Sequence, residues 1–203
     1  MISFIHCWKK QVPDNICEDI ISIFEDIIKK YPDVISRGKL EYPNTNMQRK
    51  DVSIDLNDLP PNVSSNYPII NQLCEVVYEK IYECYSEYKM QYGQLAYGSH
   101  EYSTLKVQRT MPYGGFHTWH YEKHDTMDAI RRELVWTIYL NTMPQNEAET
   151  EFLYQAVKLQ PQKGMVCIFP AGMTHVHRGL TVYTQPKYIM TGWFLRKLRD
   201  NEG

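Results

Sequence analysis

The sequence of 203 residues lacks several features, and each absence narrows what it can do. No apolar run approaches the roughly 20 residues that a membrane-spanning helix requires. Met1 to Trp8 has neither the basic start nor the long apolar stretch of a signal peptide, so a soluble, cytoplasmic chain is expected. Excess positive charge is missing as well. The 22 Lys and Arg against 24 Asp and Glu leave a net charge of -2, whereas a nucleic-acid surface needs a clustered positive excess. The five cysteines (Cys7, Cys17, Cys74, Cys84 and Cys167) form no Cys-x-x-Cys pair. That leaves no zinc knuckle or thioredoxin-type motif and suits reduced, mostly buried thiols. There is no Gly-x-Ser-x-Gly elbow for a serine hydrolase, and Gly114-Gly115 is a lone pair in a turn, not a phosphate cradle. No repeat or low-complexity tract divides the chain, and its length fits one domain spanning 1–203.

What is present changes character along the chain. Ile16, Ile20, Ile23, Phe24, Ile27 and Ile28 recur with helical spacing after a capping Asp14 or Asn15 and stop before Tyr31-Pro32. A second helix fits 68–91, with Leu73, Val77, Ile81 and Cys84 on its stripe and Gly93 as its stop. Residues 31–66 are rich in Pro, Asn, Asp and Ser, with one strand-like piece at Asp51 to Ile54. From Tyr102 onward the period is two. Candidate strands are 104–109, 115–121, 134–140, 151–153, 156–159, 165–169, 175–179 and 187–194, separated by Pro and Gly turns. The expectation is an α+β, mainly β protein. Residues 1–100 supply helices packed on one sheet together with a loop region, and 101–197 form a jelly-roll core.

One constellation carries chemistry. His120 and Glu122 stand two apart, so on a strand they share a face and can meet one metal ion. His175 follows the strand and turn Met165 to Pro170, where a facing strand would return a second imidazole. His177 competes, because period two puts it on the same face, but the Phe169-Pro170 phasing favours His175. Under that phasing His177 and Arg178 line the pocket mouth or orient one of the metal ligands. Two His and one carboxylate leave open coordination positions, the arrangement of non-haem Fe(II) oxygenases. On the last strand, alternation points Lys187, Ile189, Thr191 and Trp193 to one face. A cation there suits the far carboxylate of a dicarboxylic acid, with Tyr139 as a neighbouring donor.

The order His-x-acid, Tyr-Leu-Asn, Glu-Thr-Glu-Phe, Phe-Pro-x-x-x-x-His and Lys-Tyr-x-x-Thr-x-Trp over about 102–196 resembles the 2-oxoglutarate and Fe(II)-dependent dioxygenases of the prolyl-hydroxylase branch. The resemblance implies a double-stranded β-helix. It implies Fe(II) on His120, Glu122 and His175, and 2-oxoglutarate anchored by Lys187 with Tyr139 and Thr191 as partners. Trp193 falls at the pocket wall, Arg49 in a segment over the site where it is a candidate substrate contact, and O2 is the oxidant. Ascorbate to rescue oxidised iron is compatible with it. A peptide or protein residue, proline first, is the implied substrate; a free small molecule and a non-catalytic metal-binding jelly roll are the rivals. Three departures stand out: the acid is Glu122 where Asp is usual, a frequent Tyr is replaced by Thr110, and His175 and Lys187 stand slightly further apart than is common, implying a longer turn through Val182 to Pro186. The oligomeric state is left open.

Overall fold

The computed structural model describes residues 3–37 and 51–198. Two antiparallel sheets dominate. The larger is built from β1 (His6–Trp8), β2 (Ser36–Arg37), β3 (Asp51–Asp55), β4 (His100–Tyr102), β5 (Lys106–Thr110), β6 (Arg132–Tyr139), β9 (Met165–Pro170) and β11 (Lys187–Arg196), in the order β1-β9-β6-β11-β5-β3-β2 with β4 on β11. The smaller runs β10 (His177–Gly179), β7 (Thr150–Phe152), β8 (Val157–Leu159). Among the described residues four α-helices accompany them: α1 (Asp14–Lys30), α2 (Pro61–Ser64), α3 (Ile69–Gln91) and α4 (Met127–Arg131). Among the described residues no helix is long and apolar enough to cross a membrane.

The period-two pattern sorts the large sheet into two faces. Leu134, Trp136 and Ile138 of β6, Val166 and Ile168 of β9, and Met190 and Phe194 of β11 turn outward. There they form one core with Cys17, Ile20, Phe24 and Ile27 of α1 and Leu73, Val77, Ile81 and Cys84 of α3. The helices therefore cover one face, as their stripes predict. The intervening residues Val135, Tyr139, Met165, Cys167 and Phe169 turn inward and pack with Phe152 of the small sheet. Two sheets closing on a shared layer of side chains give the jelly-roll arrangement. Helix α1 is also pinned by charge: Arg109 Nη1 donates to both oxygens of Glu25 (2.9 and 2.6 Å), and Tyr188 Oη donates to the same carboxylate at 2.9 Å.

Three local expectations are corrected. Helix α1 starts at Asp14 with Pro13 in the capping position and no side-chain cap bond, so neither Asp14 nor Asn15 caps it. The fixed backbone angle of proline makes the start instead. The stretch 115–121 is not a continuous strand; it makes isolated bridges at Phe116, whose carbonyl accepts from Gly179 N at 2.9 Å, and at His120, which pairs with His177. The stretch 175–179 is split, with a 3-10 turn over Met173–His175 and β10 beginning only at His177. One close approach demands a glycine. A Cβ on Gly192 would lie 2.2 Å from Thr104 O and 2.4 Å from the Trp136 ring.

Candidate active site

A cavity of about 550 Å³ opens between the sheets and is walled by Tyr139, Lys187, Ile189, Thr191 and Trp193 at one side and His120, Glu122 and His177 at the other. The alternation read along β11 is therefore realised: 187, 189, 191 and 193 all face the cavity. His120 and His177 exchange backbone bonds, His120 N to His177 O at 3.0 Å and His177 N to His120 O at 2.9 Å. In such a pair both side chains leave the same face, and their rings sit 4.4 Å apart. Glu122, two residues on, joins them, held by its backbone N–H to Ala171 O at 3.0 Å.

His120, Glu122 and His177 each bring one donor atom within 4.8 Å of the others, and Glu122 Oε1 lies 3.6 Å from His120 Nε2 and 3.5 Å from His177 Nε2. The donor set fits a divalent ion. Carbonyl oxygens only accept, so the bonds from His120 Nδ1 to Thr118 O and from His177 Nδ1 to His175 O (both 2.9 Å) place the ring protons on Nδ1. Both Nε2 lone pairs then face Glu122, the tautomer a metal requires. Before a metal takes the Nε2 positions they can carry protons instead; burial then pushes the Glu122 carboxyl up, but the hydrogen bonds and charge of the His120 and His177 rings outweigh it and hold it well below the usual carboxylate range.

His175 does not join this cluster, which corrects the expected ligand. Its Nε2 donates to Ser3 O at 2.8 Å and its Nδ1 accepts from Thr174 Oγ1 at 2.9 Å, so no lone pair is aimed at Glu122. Burial holds its imidazole below the ordinary value, which favours this neutral form. The physical reason is the 3-10 turn, which breaks the period of two between 175 and 177. Arg178 is also placed differently from expectation. It stacks 4.3 Å over Trp119 and pairs with Glu151 at 2.7 Å, behind the cavity wall. Arg49 lies outside the described residues.

At the far end Lys187 Nζ donates to Ala148 O at 2.6 Å and lies 5.6 Å from the Tyr139 ring centre. Burial lowers its pKa to about 8, with Glu149 pulling the other way. Tyr139 Oη is 2.8 Å from Thr150 Oγ1. Thr191 spends its proton on Trp136 O at 2.9 Å, so it offers the cavity an acceptor. Thr110 sits opposite Lys187 in the β5–β11 register and also lines the cavity. The turn that delivers Lys187 is held by buried Glu147, which accepts from Tyr183 N at 2.6 Å and Thr184 N at 2.7 Å.

Arg132 is the wall residue that alternation misplaces. Leu195 pairs with Arg132 although Phe194 pairs with Leu134, so Glu133 is the extra residue of a bulge. A bulge re-aims the side chain beside it. Arg132 thus turns into the cavity, where its guanidinium lies 3.6 Å over Trp193 and Nη1 donates to Glu122 O at 2.9 Å. Trp193 Nε1 in turn donates to Glu122 Oε2 at 3.1 Å. The extra methylene of Glu122 is thereby accommodated: Oε2 is held by the wall and Oε1 faces the imidazoles.

Residues 105–195 match the model of the 2OG-Fe(II) oxygenase superfamily. The match takes in just under half of the chain. The chemistry of that superfamily uses Fe(II), 2-oxoglutarate and O2, and His120, Glu122 and His177 fit the metal. Comparison with curated proteins finds no match. Among solved structures, the chain is similar to the viral collagen prolyl hydroxylase of Paramecium Bursaria Chlorella virus-1 in complex with 2OG (17% identity, 97% of each chain, TM-score 0.68). A Pseudomonas putida prolyl-4-hydroxylase matches at 13% identity, over 97% of this chain and 94% of that one, with TM-score 0.60. A Trichoplax adhaerens prolyl hydroxylase in complex with a hypoxia inducible factor peptide matches at 14%, over 95% and 84%, with TM-score 0.68. The likeness establishes the double-stranded β-helix fold expected from the sequence.

Proposed function

We propose that this oxygenase hydroxylates a residue within a peptide or protein, with proline the leading target. The observation that carries the peptide reading is a second cavity of about 530 Å³, which shares Lys106, Arg132 and Trp193 with the first. Ser36, Ser53 and Asp55 form its edge, so the space continues past the Arg132–Trp193 wall toward β2 and β3. A free small molecule needs one enclosed pocket; a chain needs a path that runs on beyond the reacting residue. The proline assignment draws support from the three prolyl hydroxylases that share the fold.

In this reading His120, Glu122 and His177 hold Fe(II). When bound together, the ion and 2-oxoglutarate supply the oxidation: one oxygen atom of O2 enters the substrate and the other enters succinate as CO2 leaves. The protein's own groups do the positioning. Lys187 fixes the distal carboxylate of 2-oxoglutarate through a charge-assisted bond, stronger in this buried setting than in water. Tyr139 and Thr110 bound the same end of the cavity. The apolar wall of Val135, Phe169 and Ile189 keeps water from the reacting centre.

The test begins without substrate. Fe(II) and then 2-oxoglutarate are added anaerobically, and the weak visible charge-transfer band of the chelate is followed. It should form in the wild type, vanish in His120→Ala, and require far more 2-oxoglutarate in Lys187→Ala. Proline-containing peptides should then gain about 16 Da with one succinate formed per hydroxylation. Turnover of free amino acids with no turnover of any peptide would refute the peptide reading.

A further inference from the structure

Cys7 and Cys167 stand directly opposite each other in the β1–β9 ladder. Directly opposed residues of an antiparallel pair have Cα atoms about 4.5 or 5.5 Å apart, depending on the hydrogen-bonding phase. Both spacings fall within the roughly 4.4–6.8 Å that a disulfide spans. The two side chains leave the same face of the sheet. Both belong to the inward layer with Tyr139, Met165 and Phe169. Cys167 is wholly buried, while Cys7 is only partly buried on an edge strand and so can meet an oxidant.

The other three thiols are placed differently. Cys74 and Cys84 lie on one helix, ten residues and about 15 Å of rise apart. Cys17 sits on α1 in the outward core. Burial pushes Cys17 and Cys74 up to about 11 and Cys84 up to about 12, leaving them as inert thiols. Cys7 moves the opposite way: the Cys167 thiol bonds to it and lowers its pKa against the effect of burial, with Lys9 assisting.

We propose that Cys7 and Cys167 are a redox modification site, closing to a cross-strand disulfide when the protein meets a peroxide. The Cys7 thiolate attacks hydrogen peroxide, breaking the O–O bond to give a sulfenic acid and a hydroxide, which takes up the proton lost when the thiol ionised and becomes water; the Cys167 sulfur then displaces the sulfenic hydroxyl, which leaves with the Cys167 proton as a second water. Two thiols are oxidised and one peroxide is reduced to two waters. The bond joins the edge strand to β9, the strand leading to Ala171, whose carbonyl accepts the Glu122 backbone N–H. The inference is independent of the oxygenase substrate.

The full-length protein is treated with a small excess of hydrogen peroxide, quenched, denatured and alkylated. The five free thiols of the wild type should fall to three, with a loss of about 2 Da before alkylation. A non-reducing peptide map should place the cross-link between the peptides of Cys7 and Cys167. Cys7→Ser should keep all of its remaining thiols under the same treatment. Retention of five thiols overturns the proposal. So does a bond between any other pair, or oxidation of Cys7 beyond sulfenic acid with no cross-link. The wild-type map decides the matter even if a variant at buried Cys167 fails to fold.

Discussion

Raising the pH from 7 to 9 should release 2-oxoglutarate from the wild type but not from Lys187→Arg. Lys187 is buried, with Ala148 O as its hydrogen-bond acceptor and Glu149 as the acid that pulls its pKa back up; the net result is a drop from 10.5 to about 8. A drop of that size corresponds to about 3 kcal/mol. The sign follows from linkage: because the folded pKa is depressed, this stability is fully present above 10.5 and is lost as pH falls through 8. At neutral pH the ligand-free protein therefore carries a penalised ammonium, and a bound carboxylate relieves it. If only the ammonium form binds, about nine-tenths of the protein is competent at pH 7 and about one-tenth at pH 9, so Kd should weaken about tenfold. Calorimetry at pH 8 in buffers of different ionisation enthalpy should report uptake of about half a proton per ligand. With Mn(II) in the site and O2 excluded, hydroxide competition at the metal acts on wild type and variant alike, whereas arginine stays charged throughout. A flat Kd in the wild type, or the same slope in Lys187→Arg, would refute the reasoning.

His177→Ala should abolish Co(II) binding measured by visible absorption. His175→Ala should retain it and lose about 1–2 kcal/mol of stability in urea unfolding, the worth of the bonds to Ser3 and Thr174. Trp193→Phe removes the donor to Glu122 Oε2, and calorimetric Mn(II) affinity should fall about 10- to 100-fold with the fold intact. Gly192→Ala forces a methyl against Thr104 O and the Trp136 ring. It should cost about 3 kcal/mol and lower Tm by about 10 °C in a thermal melt.

Long elements with many periodic residues were legible in the sequence. The isoleucines of α1 and the alternation of β11 each repeat over several turns or pleats, so one exception cannot erase the signal. Short strands were not. β1 has three residues and its partner β9 lies far along the chain, so nothing local in His6-Cys7-Trp8 announces the pairing. Two irregularities of the backbone decide which side chains reach the site. His175 took the ligand position by counting, but the 3-10 turn changes the count between 175 and 177. Arg132 reads as outward by parity, but Glu133 is an extra residue and turns it inward. Period-two arguments fail wherever the backbone gains or loses a residue, and here both irregularities border the metal cluster.

The division of β11 between two environments gives each of its positions a single duty. Tyr188, Met190 and Phe194 touch the helical layer and Gly192 leaves room for the Trp136 ring, whereas Lys187, Ile189, Thr191 and Trp193 face the cavity. Selection acting on this strand is therefore two interleaved selections. Scanned one residue at a time, cellular abundance should dip at even numbers and turnover at odd ones. The strand would then read as two superimposed combs, one recording how much protein survives and the other what the survivors can do.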